Sequence, residues 1–233
     1  MVLLRSLAFA LLFYLMTAFW VVTELVATAF GRQPIRTVVL NWSKANHWLA
    51  EHVLGIRTEV LGEIPAGPHL IAVKHETMFE TLEMMRLSKL PVIVLKRELS
   101  DIPFFGKLTR RYGVIPVERG AGAKALRAMV ASGKEAVASG RPVIIYPEGT
   151  RVRVGETPPL RPGFAGLYRA LGLPVVPVAV NCGRLWGRGL IHRPGTVTFK
   201  IGETIPPGLG REEIEARVHA AINVLALGPE SGA

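Results

Sequence analysis

Pro142-Val143-Ile144-Ile145-Tyr146-Pro147-Glu148-Gly149-Thr150-Arg151 is the stretch on which the fold turns. Three β-branched residues and a tyrosine stand together without polar alternation, closed by proline at both ends. That pattern reads as a short strand buried on both faces, as in a sheet covered by helices on either side. The turn behind it, Pro-Glu-Gly-Thr-Arg, sets a guanidinium, a hydroxyl and the backbone N–H groups around a glycine at the strand's carboxyl end.

Working outward, similar apolar runs recur at residues 69–73, 91–95, 114–117, 174–180 and 196–201, besides 142–146 itself. Between them, helical patterns occupy 81–87, 104–111, 123–138, 163–171 and 212–225, with Gly or Pro at most of the joints. This alternation from about Glu59 onward predicts an α/β class: a single domain with a mixed, largely parallel sheet flanked by helices, preceded by an N-terminal membrane-anchoring helical segment. The boundaries expected are 1–58 for the anchoring helices and 59–233 for the α/β domain.

The totals support that division. The chain has 233 residues, 49% hydrophobic, and a net charge of +10. It is long enough for one substantial core and too apolar for a disordered tail. One cysteine, Cys182, excludes a disulfide scaffold and suits a reducing compartment. The mean hydropathy of +0.32 and the isoelectric point near 10.3 come from different parts of the chain. Residues 1–31 carry only Arg5 and Glu24, so the whole +10 lies on residues 32–233.

The leader is uncharged from Ser6 to Thr23, about 27 Å of helix at ~1.5 Å per residue. A tilted transmembrane helix, a helical hairpin in one leaflet and a cleaved signal peptide are the three readings. The length of the apolar run and the single n-region charge favour membrane attachment over cleavage. If the helix spans, Arg32, Arg36 and Lys44 outweigh Arg5 and put the body on the cytoplasmic side of the inner membrane. Residues 38–56 continue with Trp42, Ala45, Trp48, Leu49, Val53 and Ile56 at helical spacing. That stripe suits either packing on the body or an interfacial helix.

Chemistry-bearing residues gather at predicted strand ends, where an open α/β sheet places its site. After the strand ending at Val73 comes Lys74-His75-Glu76-Thr77-Met78-Phe79-Glu80. With His75 in the turn and Glu80 in the first helical turn, the carboxylate can hold one imidazole nitrogen as a donor and leave the other as a base. The competing reading is a loop histidine and a solvated acid on the helix dipole. Gly113-Val114-Ile115-Pro116-Val117-Glu118-Arg119 delivers Arg119 at another strand end, and Arg119 together with Arg151 suggests an anion site. Lys96, after a strand, and Arg161, opening a helix, are further candidate substrate contacts. The arginines of Gly183-Arg184-Leu185-Trp186-Gly187-Arg188, with Arg193, suit a headgroup-facing loop or an ordinary surface loop.

The order of these blocks, followed by Val176-Pro177-Val178, resembles the four motif blocks of the glycerolipid acyltransferase family, most closely the bacterial 1-acyl-glycerol-3-phosphate acyltransferases. The resemblance runs from about residue 64 to residue 205. It implies that His75 is the general base for the acceptor hydroxyl and that Glu80 orients it. It further implies that Arg119, Glu148, Gly149, Thr150 and Arg151 hold the acceptor's phosphate and glycerol, and that the product is phosphatidic acid for phospholipid biosynthesis. The co-substrate implied is acyl-CoA or an acylated acyl carrier protein, with no other cofactor. Glu80 departs from the family's usual aspartate, and Pro116 stands where an aromatic is common.

A basic body suits a lysophosphatidic acid acceptor in a membrane and a phosphate-bearing donor. The six histidines and one cysteine show no ligand spacing, so no metal is expected. Nucleic-acid binding is disfavoured because the arginines interrupt apolar strands and form no stripe. Other acceptors, glycerol-3-phosphate or lyso-ornithine lipid, remain open, as does a non-catalytic protein that binds anionic lipid.

Overall fold

The structure, a computed structural model, describes residues 1–102, 105–118 and 122–226. In chain order its main elements are α1 (Val2–Ala27), α2 (Arg32–Leu49), β1 (Ile56–Leu61), β2 (Leu70–Val73), α3 (Phe79–Leu87), β3 (Val92–Lys96) and α4 (Arg97–Ser100). There follow α5 (Phe105–Tyr112), β4 (Ile115–Val117), α6 (Gly122–Ala138), β5 (Val143–Ile145), α7 (Pro162–Leu171), β6 (Val175–Val180), β7 (Gly195–Ile201) and α8 (Arg211–Ile222). The seven strands form one sheet in the order β1-β7-β6-β2-β5-β3-β4. Every pairing is parallel except β6 with β7.

Strict alternation along the central strands splits the core between two faces. Ile71 and Val73 of β2, Ile144 of β5 and Val176, Val178 and Val180 of β6 point to one side, where α3 and the α1–α2 pair cover them. Leu70, Ala72, Val143, Ile145 and Val175 point to the other, against Phe164, Leu167 and Tyr168 of α7 and Ile214, Val218 and Ile222 of α8. All of β2, β5 and β6 is buried. With helices on both faces, the unbroken apolar run that opens the sequence analysis is what such a strand requires.

Two expectations are corrected. Residues 56–58, assigned from sequence to the helical segment, belong to the sheet. Gly55, in the left-handed region at φ 76°, ends the helix, and β1 pairs along β7. The stripe of Trp42, Ala45, Trp48, Leu49, Val53 and Ile56 is the packed face only in part: Leu49 and Ile56 are buried and Val53 packs on the core, but Trp48 faces outward and stacks on His52. The other buried residues of α2 are Ile35, Val38, Ser43 and Asn46.

The leader lies along the body. Near its start, Arg5 Nε donates to the Val53 carbonyl at 2.6 Å, and Ser6 Oγ exchanges hydrogen bonds with the His192 backbone. Beyond its end, Arg111 donates to the Thr28 carbonyl at 3.0 Å. Phe9, Phe13, Met16 and Trp20 turn inward, whereas Leu4, Leu11, Tyr14, Leu15, Phe19 and Val22 are exposed.

Candidate active site

Because β2, β5 and β6 are parallel neighbours, their carboxyl ends meet at one edge: Lys74-His75, Tyr146-Pro147-Glu148 and Asn181-Cys182-Gly183. His75 sits in the turn between β2 and α3, and Glu80 in the first turn of α3. His75 Nδ1 donates to Glu80 Oε1 at 2.7 Å. The same carboxylate accepts the N–H groups of Glu76 (3.0 Å) and Thr77 (2.9 and 3.1 Å), the Thr77 hydroxyl (2.8 Å) and the Cys182 thiol (2.9 Å). A carboxylate this fully surrounded by donors accepts and does not donate, so Nδ1 carries the ring proton and Nε2 keeps a free lone pair.

Burial by itself would raise the Glu80 carboxyl. The hydrogen bond and charge of His75, helped by Cys182 and Thr77, outweigh it and hold the group below the usual carboxylate range. Burial first, then the charges of Glu80 and Glu76, push the Cys182 thiol well above its ordinary value, so it stays protonated as a donor. Glu76, fully enclosed beside it, is pushed up to about 7 by desolvation, although the Gly183 N–H donates to its Oε2 at 2.7 Å. The His75 ring lies against Tyr146 at 4.2 Å between centroids with the planes tilted by 31°, and its side chain is 14% exposed. One imidazole edge therefore opens outward from an otherwise sealed pair.

The loop after β5 grips His75 from both sides. Glu148 Oε2 accepts the His75 N–H at 2.9 Å, and the Val152 N–H donates to the His75 carbonyl at 2.8 Å. Gly149 closes a turn onto the Tyr146 carbonyl at 2.9 Å and adopts φ 70°, a conformation glycine takes without strain. The Arg161 side chain lies over it, so close that a β-carbon at Gly149 would meet Arg161 Cγ at 2.9 Å. Thr150 and Arg151 are exposed beside this turn. Arg188 donates to the Arg151 carbonyl at 3.1 Å. Three guanidinium groups, from Arg151, Arg161 and Arg188, thus belong to one loop cluster next to His75.

The stretch from residue 56 to residue 181 matches the family model described as Acyltransferase. The chain belongs to that family. This acyltransferase is 36% identical over 195 residues to the 1-acyl-sn-glycerol-3-phosphate acyltransferase of Pseudomonas aeruginosa, covering 82% of this chain and 74% of the relative. It is 29% identical over 157 residues to the human 1-acyl-sn-glycerol-3-phosphate acyltransferase beta, covering 66% of this chain and 56% of the relative. The crystal structure of the 1-acyl-sn-glycerophosphate acyltransferase PlsC from Thermotoga maritima superposes with a TM-score of 0.77 at 20% identity, over 98% of this chain and 99% of that one. The two share a fold.

Against that fold, the residues singled out from sequence fall into four groups. His75, Glu80, Gly149, Thr150, Arg151 and Arg161 of the acyltransferase come together at one edge. Glu148 does not join them as a phosphate contact. Its carboxylate turns inward, is 2% exposed, and pairs at 2.7 Å with Lys74, whose ammonium also donates to the Glu156 carbonyl and to Asn223. A buried cation with no water to solvate it requires that partner, so Glu148 anchors the loop. Lys96 ends β3, two strands away from β2, and pairs with Glu98 at 2.9 Å on the surface. Arg119 lies outside the described residues. Sequence reasoning missed Thr77, Tyr146 and the role of Cys182. Only the parallel pairing of β6 beside β2 carries that thiol to Glu80, and no spacing along the chain encodes it.

Proposed function

We propose that this acyltransferase moves an acyl group from an acyl thioester to the sn-2 hydroxyl of 1-acyl-glycerol-3-phosphate, giving phosphatidic acid. The observation that carries the reading is the His75 to Glu80 bond of 2.7 Å, with Nε2 left free at an edge lined by Thr150 and Arg151. In the reaction, Nε2 takes the proton of the acceptor hydroxyl as that oxygen attacks the thioester carbonyl. The tetrahedral intermediate collapses, the carbon–sulfur bond breaks, and the thiolate leaves with the proton returned by the imidazolium. Glu80 stabilises the transient imidazolium without moving a proton itself.

Arg151 and Arg161, with the N–H groups around Gly149, are read as the phosphate cradle. The donor is acyl-CoA or acylated carrier protein. Both carry phosphate that a body of +10 attracts.

The acceptor reaches the site from a membrane. Since both ends of α1 are fastened to the body, the reading supported here is a helix lying in one leaflet with its exposed leucines in the acyl region. Arg32, Arg36 and Lys44 then set no orientation by spanning. The cytoplasmic face of the inner membrane is read from the single cysteine, a composition that suits a reducing compartment.

The test is to incubate wild-type and His75→Ala membranes with a panel of lysolipids and glycerol-3-phosphate, offering each donor type, and to identify products by mass. The expected result is phosphatidic acid from lysophosphatidic acid, abolished in His75→Ala. Transfer to lyso-ornithine lipid or glycerol-3-phosphate instead would reassign the acceptor. Full activity in His75→Ala would remove the catalytic base.

A further inference from the structure

Residues 185–193 form a hairpin that the proposed reaction leaves without a role. Trp186 and His192 bridge antiparallel, and the Arg193 N–H closes on the Leu185 carbonyl at 2.9 Å. The base is rigid: the Trp186 and His192 rings stack at 4.3 Å, and Phe9 of α1 meets them edge-on at 5.2 and 5.9 Å. Ser6 Oγ accepts the His192 N–H at 3.0 Å. The Arg5 guanidinium lies over Gly55 next to Pro194, so the start of α1 and the foot of the hairpin are welded together.

The tip contrasts with this foot. Leu190 and Ile191 are adjacent, 51% and 52% exposed, and follow Gly187-Arg188-Gly189. Single exposed apolar residues are ordinary on a protein surface. A pair at a loop tip, rimmed by exposed Arg184, Arg188 and Arg193, has a different setting, because no Asp or Glu occurs anywhere from Asn181 to Gly202. Apolar residues flanked by arginines, in a segment that itself carries no acid, match an anionic lipid surface: acyl chains for the tip and phosphate for the rim.

We propose that the hairpin is a second membrane contact, inserting Leu190 and Ile191 into the leaflet that holds α1 while Arg184 and Arg193 meet anionic headgroups. Its consequence is positional. The segment leaves the active site at Cys182 and Gly183, which hold Glu80 and Glu76, and Arg188 donates to the Arg151 carbonyl. A hairpin seated in the headgroup layer sets the height of the Gly149–Thr150–Arg151 turn at the level where a lysolipid phosphate lies. The proposal rests on the membrane reading of α1.

The experiment measures partition of the purified full-length chain onto vesicles of phosphatidylcholine with and without phosphatidylglycerol. It compares wild type, Leu190→Ser/Ile191→Ser, Arg184→Gln/Arg193→Gln, and Leu4→Ser/Leu11→Ser on the outer face of α1. Covering the exposed halves of two large aliphatic side chains predicts that Leu190→Ser/Ile191→Ser partitions about ten- to a hundredfold less. The arginine pair loses about fivefold per residue, only on vesicles with phosphatidylglycerol, and the difference fades with salt. Transfer to a short-chain lysophosphatidic acid in detergent micelles stays at the wild-type rate in all three variants.

Wild-type partition of Leu190→Ser/Ile191→Ser alongside a loss in Leu4→Ser/Leu11→Ser overturns the hairpin contact and leaves the α1 reading intact. Unchanged partition in both overturns the membrane reading itself. A hairpin variant that binds vesicles normally but turns from dimer to monomer in light scattering reassigns the tip to a second copy of the chain.

Discussion

Shortening Glu80 to aspartate, the residue usual in the family this chain resembles, should disable the enzyme. Here the donors from His75, Glu76, Thr77 and Cys182 converge at the reach of a glutamate, with the His75 bond at 2.7 Å and the thiol at 2.9 Å. Losing one methylene draws the carboxylate back by roughly 1 Å, which opens the His75 contact to about 3.7 Å, beyond hydrogen-bonding range. A hydrogen bond to a charged group contributes about 1.5–3 kcal/mol. Because this one sets the tautomer and tilt of His75, the proposed base, the loss should appear in the chemical step, as a fall in kcat of about ten- to 150-fold. KM for the donor should change little, since Glu80 is fully buried. Release of coenzyme A thiol from acyl-CoA, followed with a chromogenic disulfide, gives kcat directly. The protein's own thiol is buried and contributes no background. Glu80→Gln keeps the length but turns an amide N–H₂ toward the ring, which favours the tautomer with the proton on Nε2, and it should cost more than Glu80→Asp. A folded Glu80→Asp variant within about threefold of wild-type kcat would refute the claim that this carboxylate orients the base.

Lys74→Met strands the buried Glu148 carboxylate and should destabilise the chain by about 3–5 kcal/mol in urea unfolding, with Lys74→Met/Glu148→Gln recovering more than half of that loss. Recovery of nothing would mean that the ammonium's bonds to Glu156 and Asn223 dominate. Glu76 has a folded pKa of about 7, above its unfolded value of 4.5, so the folded state holds its proton more tightly. Its contribution is complete below pH 4.5 and is lost as pH rises to about 7, a fall on the order of 3 kcal/mol. Thermal unfolding of Glu76→Gln should therefore decline less between pH 5 and pH 8 than that of wild type, and identical slopes would show that Glu76 titrates normally.

Local chemistry was legible wherever a residue acts with its neighbours in the chain. The buried runs that became β2, β5 and β6 carried their own signal, since prolines and β-branched residues act within a few positions. The pairing of His75 with Glu80 also spans only five positions, from the turn before α3 into its first helical turn. β1 was missed because only Ile56 of its six residues is fully buried and β7 is its one partner among the described residues, so its pattern resembles a continuing helix. Glu148 was misread because the same Pro-Glu-Gly-Thr-Arg turn can aim its carboxylate outward or inward. Lys74, 74 residues earlier, decides which.

What the sequence alone determined about this protein is therefore the alternation of strands and helices, the apolar leader, the basic body and the pairing of His75 with Glu80. All of these follow from propensity, composition and spacings of a few residues. What only the tertiary structure decided is where long-range partners meet: Cys182 against Glu80, Lys74 against Glu148, Ser6 against His192, and a leader fastened along the body at both ends. Those contacts depend on strand order and on the packing of helices over the sheet, and chain spacing carries no record of either.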